Sequence, residues 1–326
     1  MTVDVANLPA FDQLPVRQGA PPGSAWGLFG DDDELGTWNL VTPRKTAEAA
    51  KLVRKGAVFS LNLPLDAMPA RPLFWFRGNP RHTIFDCSGG VRVSYDEYLD
   101  GFCPQSSSQW DGHRHVAHPA FGFYNGFKHE DVIREGSDTL GIQNLARRGI
   151  ATRGVLLDVA RYLERQGRPL DPHSAATIDV AALEACRQSQ GVEIQSGDLL
   201  IFRTGWLGWL RAQPANAQVE LAEHLVAPGL LAGREMAAYL WDNHVAAVAT
   251  DTIAVEAWPP EFANPERGFF HIQLITYFGM NLGELWDLDA LAEDCAADNV
   301  YEFMVTSAPL NITGGVGSPP NALAIK

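Results

Sequence analysis

The sequence predicts an α/β fold in one domain, with a mixed β core flanked by helices. Three observations lead there. Short apolar runs alternate with helix-like segments along the chain. Polar residues stand just past several of those runs (Asp158, Arg203 with Thr204, and Asp251), the strand ends where α/β folds gather ligands. No repeat, low-complexity tract or linker interrupts the body after residue 25.

The elements follow in order. Residues 1–25 are rich in Pro, Gly and Ala and read as an arm lying on the surface or on a neighbouring subunit; residues 26–326 form the body. TPRKTAEAAKLVRKG opens with Thr42 as cap and Pro43 at the first helical position, and closes at Gly56. The strand AVFSLNLPL comes next. GVLLDV, bounded by Gly154, leads into helical ARYLERQG. Helix IDVAALEACRQSQG precedes the strand in GDLLIFRTGW, and helix GREMAAYLWDN precedes the buried strand in VAAVATDT. DLDALAEDCAADN is an amphipathic helix and YEFMVTSAPLN a final strand.

Composition excludes several function classes. With 326 residues, of which 46% are hydrophobic and 20% charged, the chain can bury a large core and is not disordered. A formal charge of −14 and no basic run beyond dipeptides such as Arg147–Arg148 disfavour nucleic acid and anionic membranes, leaving a small-molecule substrate as the expected partner. No stretch approaches 18 uncharged apolar residues, so no membrane span is expected. Cys87, Cys103, Cys186 and Cys295 form no CxxC, and MTVDVANLPAFDQLP has an early acid and no basic residue. Reduced thiols, no secretory signal and a cytoplasmic location are the expectation.

The densest polar cluster is QSSSQWDGHRHVAH, residues 105–118. If extended, it places Gln105, Gln109, Asp111, His113 and His115 on one face, and Trp110, Gly112, Arg114 and Val116 on the other. A carboxylate, two imidazoles and two amides on one face could bind a metal or transfer protons. A polar loop whose side chains bond locally is the other reading. A second candidate is His271, which on a helix shares a stripe with Leu274, Ile275 and Phe278. Glu284 follows after breaks at Gly279 and Gly283; in so apolar a stretch its carboxylate needs a metal or histidine partner.

These residues resemble those of the cyclase family, the group that contains bacterial kynurenine formamidase and isatin hydrolase. That family carries HxGTHxDxxxH, followed much later by a His and a Glu about a dozen residues apart. Setting Asp111 on the motif Asp puts Gln105 and Gln109 at its first two His positions and His115 at its last, with His271 and Glu284 matching the distal pair. WGLFGDDDELGTWNLVTP, GAVFSLNLPL, GVLLDV, GDLLIFRTGW and SAPLNITGGVGSPPNA resemble the family in order and spacing, over roughly residues 26–322.

The resemblance implies one or two divalent metals held by Asp111, His271 and Glu284, with His115 as general base and a homodimer or homotetramer as the assembly. It implies a hydrolase in which metal-activated water attacks a cyclic or N-acyl amide, an imide or a lactone. Two imidazoles are replaced here by Gln105 and Gln109, whose carboxamide oxygens are weaker donors for Zn²⁺ and harder, favouring Mn²⁺ or Mg²⁺. His113 could substitute for a missing imidazole. Two alternatives stay open: a metal-independent lyase or cyclase using His115, and a member that only binds a small molecule. Trp110, Phe123, Tyr124, Asn125, Trp206 and Trp258 either line a pocket for a flat substrate or pack as core. Arg203 either binds a substrate carboxylate or pairs with an acid, and Asp251 and Glu256 could orient the histidines.

Overall fold

The structure is a computed structural model that describes residues 7–68, 73–74, 76–262 and 268–326. Its strands in chain order are β1 (Val58–Ser60), β2 (Arg81–Asp86), β3 (Tyr95–Asp100), β4 (Gln109–Asp111), β5 (Ile150–Leu157), β6 (Thr177–Ile178), β7 (Leu199–Phe202), β8 (Gly229–Leu230), β9 (Ala247–Thr250), β10 (Asn281–Glu284), β11 (Glu302–Ser307), β12 (Gly317–Ser318) and β13 (Ala322–Ile325).

Nine of these make one mixed sheet, in the order β1-β13-β11-β5-β7-β9-β10-β4-β12. The middle run β5-β7-β9-β10 is parallel, and antiparallel strands close it on both sides. The parallel strands are apolar on both faces because helices cover them: every residue of β7 and β9 is buried. The helices Val159–Arg165, Val180–Gln190, Arg234–Asp242 and Asp289–Asp298 begin and end where the sequence signals it. Asp158 accepts the Arg161 amide, Asp179 accepts the Ala182 amide, and Gly191 closes its helix in the left-handed region that favours glycine. The first helix is shorter than its pattern: Thr42 caps it through the Lys45 amide, yet it ends at Ala50 rather than running to Gly56.

The described part of the arm lies on its own chain, and residues 1–6 of the expected arm fall outside the described residues. Phe11 packs edge-on against Phe278 at 6.0 Å, its amide donates to Asp242 Oδ1, and the Pro9 carbonyl accepts the Trp241 indole N–H.

Three indoles fasten β4 to the core. Trp110 lies edge-on between Trp286 at 4.9 Å and Trp38 at 5.8 Å, fully buried, and its N–H donates to Ser307 Oγ. Trp286 donates to the Gln109 carbonyl and Trp38 to Asn281 Oδ1. The opposed position on β10 is Gly283, where a Cβ would lie 2.8 Å from Trp286. Trp110→Ala is therefore expected to lower the unfolding free energy by about 3–5 kcal/mol in a denaturant titration. A loss well under 1 kcal/mol would mean that the indole does not anchor the strand.

Candidate active site

Pairing of β4 with β10 creates the site. Their antiparallel register sets Gln109 against Glu284 and Asp111 against Leu282, so Gln109, Asp111 and Glu284 share one face while Trp110 points to the other. The strand stops at Asp111. Gly112 follows, packed so closely that a Cβ would meet the Val316 carbonyl at 2.6 Å, and a turn closed by His115 N–H to the Gly112 carbonyl carries the chain back. The segment is thus not extended through 115 as its alternation predicts.

That turn brings His115 Nε2 to 3.7 Å from Asp111 Oδ2. His271 stands at the head of a π-helical turn, Ile272–Tyr277, with Nε2 3.6 Å from Asp111 Oδ2 and 3.1 Å from Glu284 Oε1. Leu274, Ile275 and Phe278 fix the apolar side of this turn in the core. Glu256 orients the imidazole: its carboxylate receives His271 Nδ1 at 2.8 Å and the Phe270 amide at 3.0 Å. Phe269 stacks on the ring at 4.4 Å.

Each acid has one oxygen tied to an amide. Gln109 Nε2 donates to Glu284 Oε2 at 2.6 Å, and Gln105 Nε2 donates to Asp111 Oδ1 while lying 3.2 Å from His115 Nδ1. Arg77 holds the outer side of both glutamines through Gln109 Oε1 and the Gln105 carbonyl. The other oxygens, Asp111 Oδ2 and Glu284 Oε1, are buried and have no hydrogen-bond partner among the described residues; the 3.1 Å approach of His271 lacks hydrogen-bonding alignment. Asp111, His115 and His271 each present a donor atom within 4.8 Å of the others, spacing suited to one ion.

Burial dominates the electrostatics. It pushes Glu284 up to about 7, with the nearby Asp111 charge adding to the effect. Burial also opposes ionisation of Asp111, but His115, His271 and Arg77 outweigh it and bring that group down to about 2. His115 is lowered by burial, so it stays neutral near pH 7. Burial works against a charged His271 too, yet Glu256, Asp111 and Glu284 together raise it well above the ordinary histidine value.

The structure thus brings together Asp111, His115, His271, Glu284, Gln105 and Gln109. It corrects the expectation that the two glutamines ligate a metal. Their amide nitrogens face the carboxylates, as they must, because an amide oxygen at that distance would oppose another oxygen; a carboxamide –NH₂ donates hydrogen bonds and does not coordinate. His113 leaves the shared face and is clamped between the carbonyls of Glu34 and Gly279, so it does not replace an imidazole.

The substrate-contact expectations are corrected likewise. Trp110 is core. Tyr124 is buried, donating to Asp33, and Asn125 uses its amide to hold Gly27, Gly30 and Asp31. Arg203 bridges Asp158 and Asp289. Trp206 is buried in a second apolar cluster, with its N–H on the Val226 carbonyl. Of the two proposed orienting acids, Glu256 holds His271, whereas Asp251 accepts the Thr204 and Gly205 amides at a helix start. Sequence reasoning missed Arg77 and Phe269. FWFRG and GFFH carry no motif, and only folding brings them to the cluster.

Comparison with known proteins identifies the family and the fold. The family model described as "Putative cyclase" matches residues 59–257, and the chain belongs to that family. The crystal structure of a novel cyclase is similar at 32% identity and a TM-score of 0.81, covering 93% of this chain and 99% of the other. Isatin hydrolase A from Ralstonia solanacearum aligns at 21% identity and TM-score 0.54, covering 85% of this chain and 94% of its own. The Labrenzia aggregata enzyme bound to benzyl benzoate aligns at 14% and 0.52, with the same coverage. These two share the fold. No curated protein matches the chain.

The raised Glu284 group makes a signed prediction for metal-free protein. An acid whose folded pKa lies above its unfolded value binds a proton in the folded state that the unfolded chain has lost, so stability falls as pH climbs from 4.5 to about 7. Glu284→Gln should remove most of this slope, and thermal melts at pH 5 and pH 7.5 in chelator should lie closer together than for wild type. An unchanged difference would place the titration elsewhere.

Proposed function

We propose that this chain is a hydrolase that opens a cyclic or N-acyl amide, an imide or a lactone, with a divalent cation, Mn²⁺ or Zn²⁺, held by Asp111, His271 and Glu284 beside His115. The observation that supports it most is the convergence of two buried carboxylate oxygens without hydrogen bonds on one imidazole nitrogen. Leaving such atoms unpaired costs on the order of 1–3 kcal/mol or more each, a cost that a bound cation offsets. Two carboxylates with imidazole nitrogen suit Zn²⁺ or Mn²⁺. When bound there, such an ion lowers the pKa of water and polarises a carbonyl.

The chain's own residues do the rest. Glu256 keeps the hydrogen on His271 Nδ1 and so directs the Nε2 lone pair toward Asp111 and Glu284. Gln105 and Gln109 fix which oxygen of each acid faces inward. His115, with its side chain 18% exposed, is more open to solvent than Asp111, His271 or Glu284 and is neutral near pH 7, as a general base must be. Among the described residues Arg77 bonds only to neutral oxygens, which leaves positive charge beside the cluster for a developing oxyanion or a carboxylate product. An isatin hydrolase, by its name, acts on isatin, a ring amide, which supports the substrate class through the shared fold.

A second reading is metal-independent acid–base chemistry by His115, in a lyase or cyclase. It is favoured by the strong tendency of His271 to carry charge among three carboxylates, since an imidazolium there would itself neutralise them.

Elemental analysis of the purified protein before and after chelation, beside hydrolysis assays on ring amides and lactones, separates the two. Near-stoichiometric Mn or Zn whose removal abolishes hydrolysis supports the first reading; turnover without any ion supports the second. His115→Ala should lower kcat by about 10²–10⁴ with an unchanged circular dichroism spectrum. Wild-type activity in that variant would remove His115 from the mechanism. Addition of Mn²⁺ or Zn²⁺ should raise the Tm of chelated wild type but not that of Asp111→Asn, and an equal rise in both would exclude Asp111 as a ligand.

A further inference from the structure

We infer that the substrate is an anion: it carries a carboxylate from the outset, which Arg77 grips while the scissile carbonyl faces Asp111, His271 and Glu284. The inference rests on the hydrolase reading and names the substrate class for that same site. Nη1 of Arg77 reaches two neutral oxygens, Gln109 Oε1 at 3.3 Å and the Gln105 carbonyl at 3.4 Å, long contacts that occupy one of its three nitrogens. Among the described residues Nε and Nη2 have no hydrogen-bond partner, and no acid pairs with the guanidinium. Arg153, Arg161, Arg203 and Arg211 are by contrast each tied to carboxylates. With 39 acids in the chain against 25 Lys and Arg, carboxylate partners are plentiful, yet beside the cluster the place is open.

The two free groups, Nε–H and Nη2–H, lie side by side in the guanidinium plane, the fork that holds both oxygens of a carboxylate. A developing oxyanion presents a single oxygen and uses a single donor. Stacking keeps the fork in place: the guanidinium carbon sits 4.8 Å over the Phe74 ring and 5.6 Å from that of Phe76. A donor pair already fixed in this way loses little freedom when an anion binds.

The body of such a substrate has a wall to lie on. Phe74 meets Trp258 edge-on at 5.6 Å, Trp258 meets Phe262 at 6.0 Å, Phe262 meets Phe269 at 5.9 Å, and Phe269 covers His271. One row of rings therefore joins Arg77 to His271, and Phe262 within it is 66% exposed, apolar surface with no core to fill. An uncharged flat substrate would use the row but not Arg77. Because the −14 chain repels anions at long range, a local cation is what an anionic substrate requires.

Benzoate and benzamide, one flat body with and without the charge, serve as probes. Isothermal titration calorimetry of the full chain is expected to show benzoate binding about tenfold tighter than benzamide. Arg77→Met is expected to bring the two within about twofold, and Arg77→Lys to keep part of the preference, since a point charge replaces the fork. A wild type without the preference, binding of neither probe included, overturns the inference. So does a preference that survives in Arg77→Met, which would assign the carboxylate to a bound ion or to another group, and so does equal loss of both probes in a folded Arg77→Met. Should the variants not fold, wild type decides through modification by butanedione, an arginine-selective reagent, located by peptide mass. Benzoate should slow modification of Arg77 where benzamide does not; equal rates overturn the inference. Binding is read rather than turnover, so a chain that prefers benzoate through Arg77 yet hydrolyses nothing faults the hydrolase reading alone.

Discussion

The antiparallel pairing of β4 with β10 is the contact on which the site depends. It joins Gln109 to Glu284, 175 positions apart, and puts Asp111 on the same face. Because side chains alternate with period two, a slip of one residue would send Asp111 and Gln109 into the core and Trp110 into the site. Trp110, wedged between Trp38 and Trp286, makes that slip costly. The apolar face of a three-residue strand thus holds the register that the polar face needs.

Charge is managed by a similar division of labour. Three acids and the His271 imidazole lie together with almost no water contact, with His115 partly open beside them, an arrangement that isolated charges could not sustain. Glu256 satisfies the far nitrogen of His271, and the two glutamines satisfy the outer oxygens of Asp111 and Glu284. One oxygen of each acid is left directed inward. The glutamines at two expected imidazole positions therefore shape the ligand set from outside it, with Arg77 closing the shell behind them.

Much of the fold was legible because its elements carry local signals. Asp158, Asp179 and Gly191 mark helix ends by capping chemistry that acts within four residues. The buried runs at β7 and β9 are short, apolar and bounded by turn residues. The first helix ran shorter than its pattern because the later turns had no core face to bury: Lys51, Arg54 and Lys55 are exposed or half-exposed. Within the site, the family spacing singled out Asp111, His115, His271 and Glu284, and these the structure brings together. Trp110, Tyr124 and Trp206 did not follow, since an aromatic ring beside a polar motif reads the same whether it faces a ligand or another ring.

Composition, periodicity and capping act locally, so an acidic α/β protein and most of its helix boundaries were legible from the chain alone, while motif resemblance pointed to the cyclase family and to the residues of the polar cluster. Tertiary structure decided the rest. It turned the Gln105 and Gln109 amides so that nitrogen, not oxygen, meets the carboxylates, and it chose Glu256 over Asp251 as the partner of His271. It withdrew His113 and Arg203 to structural posts and carried Arg77 and Phe269 inward. The reason is that a buried polar atom takes whichever partner the packed chain delivers to it, and that choice is made by contacts between segments far apart in sequence.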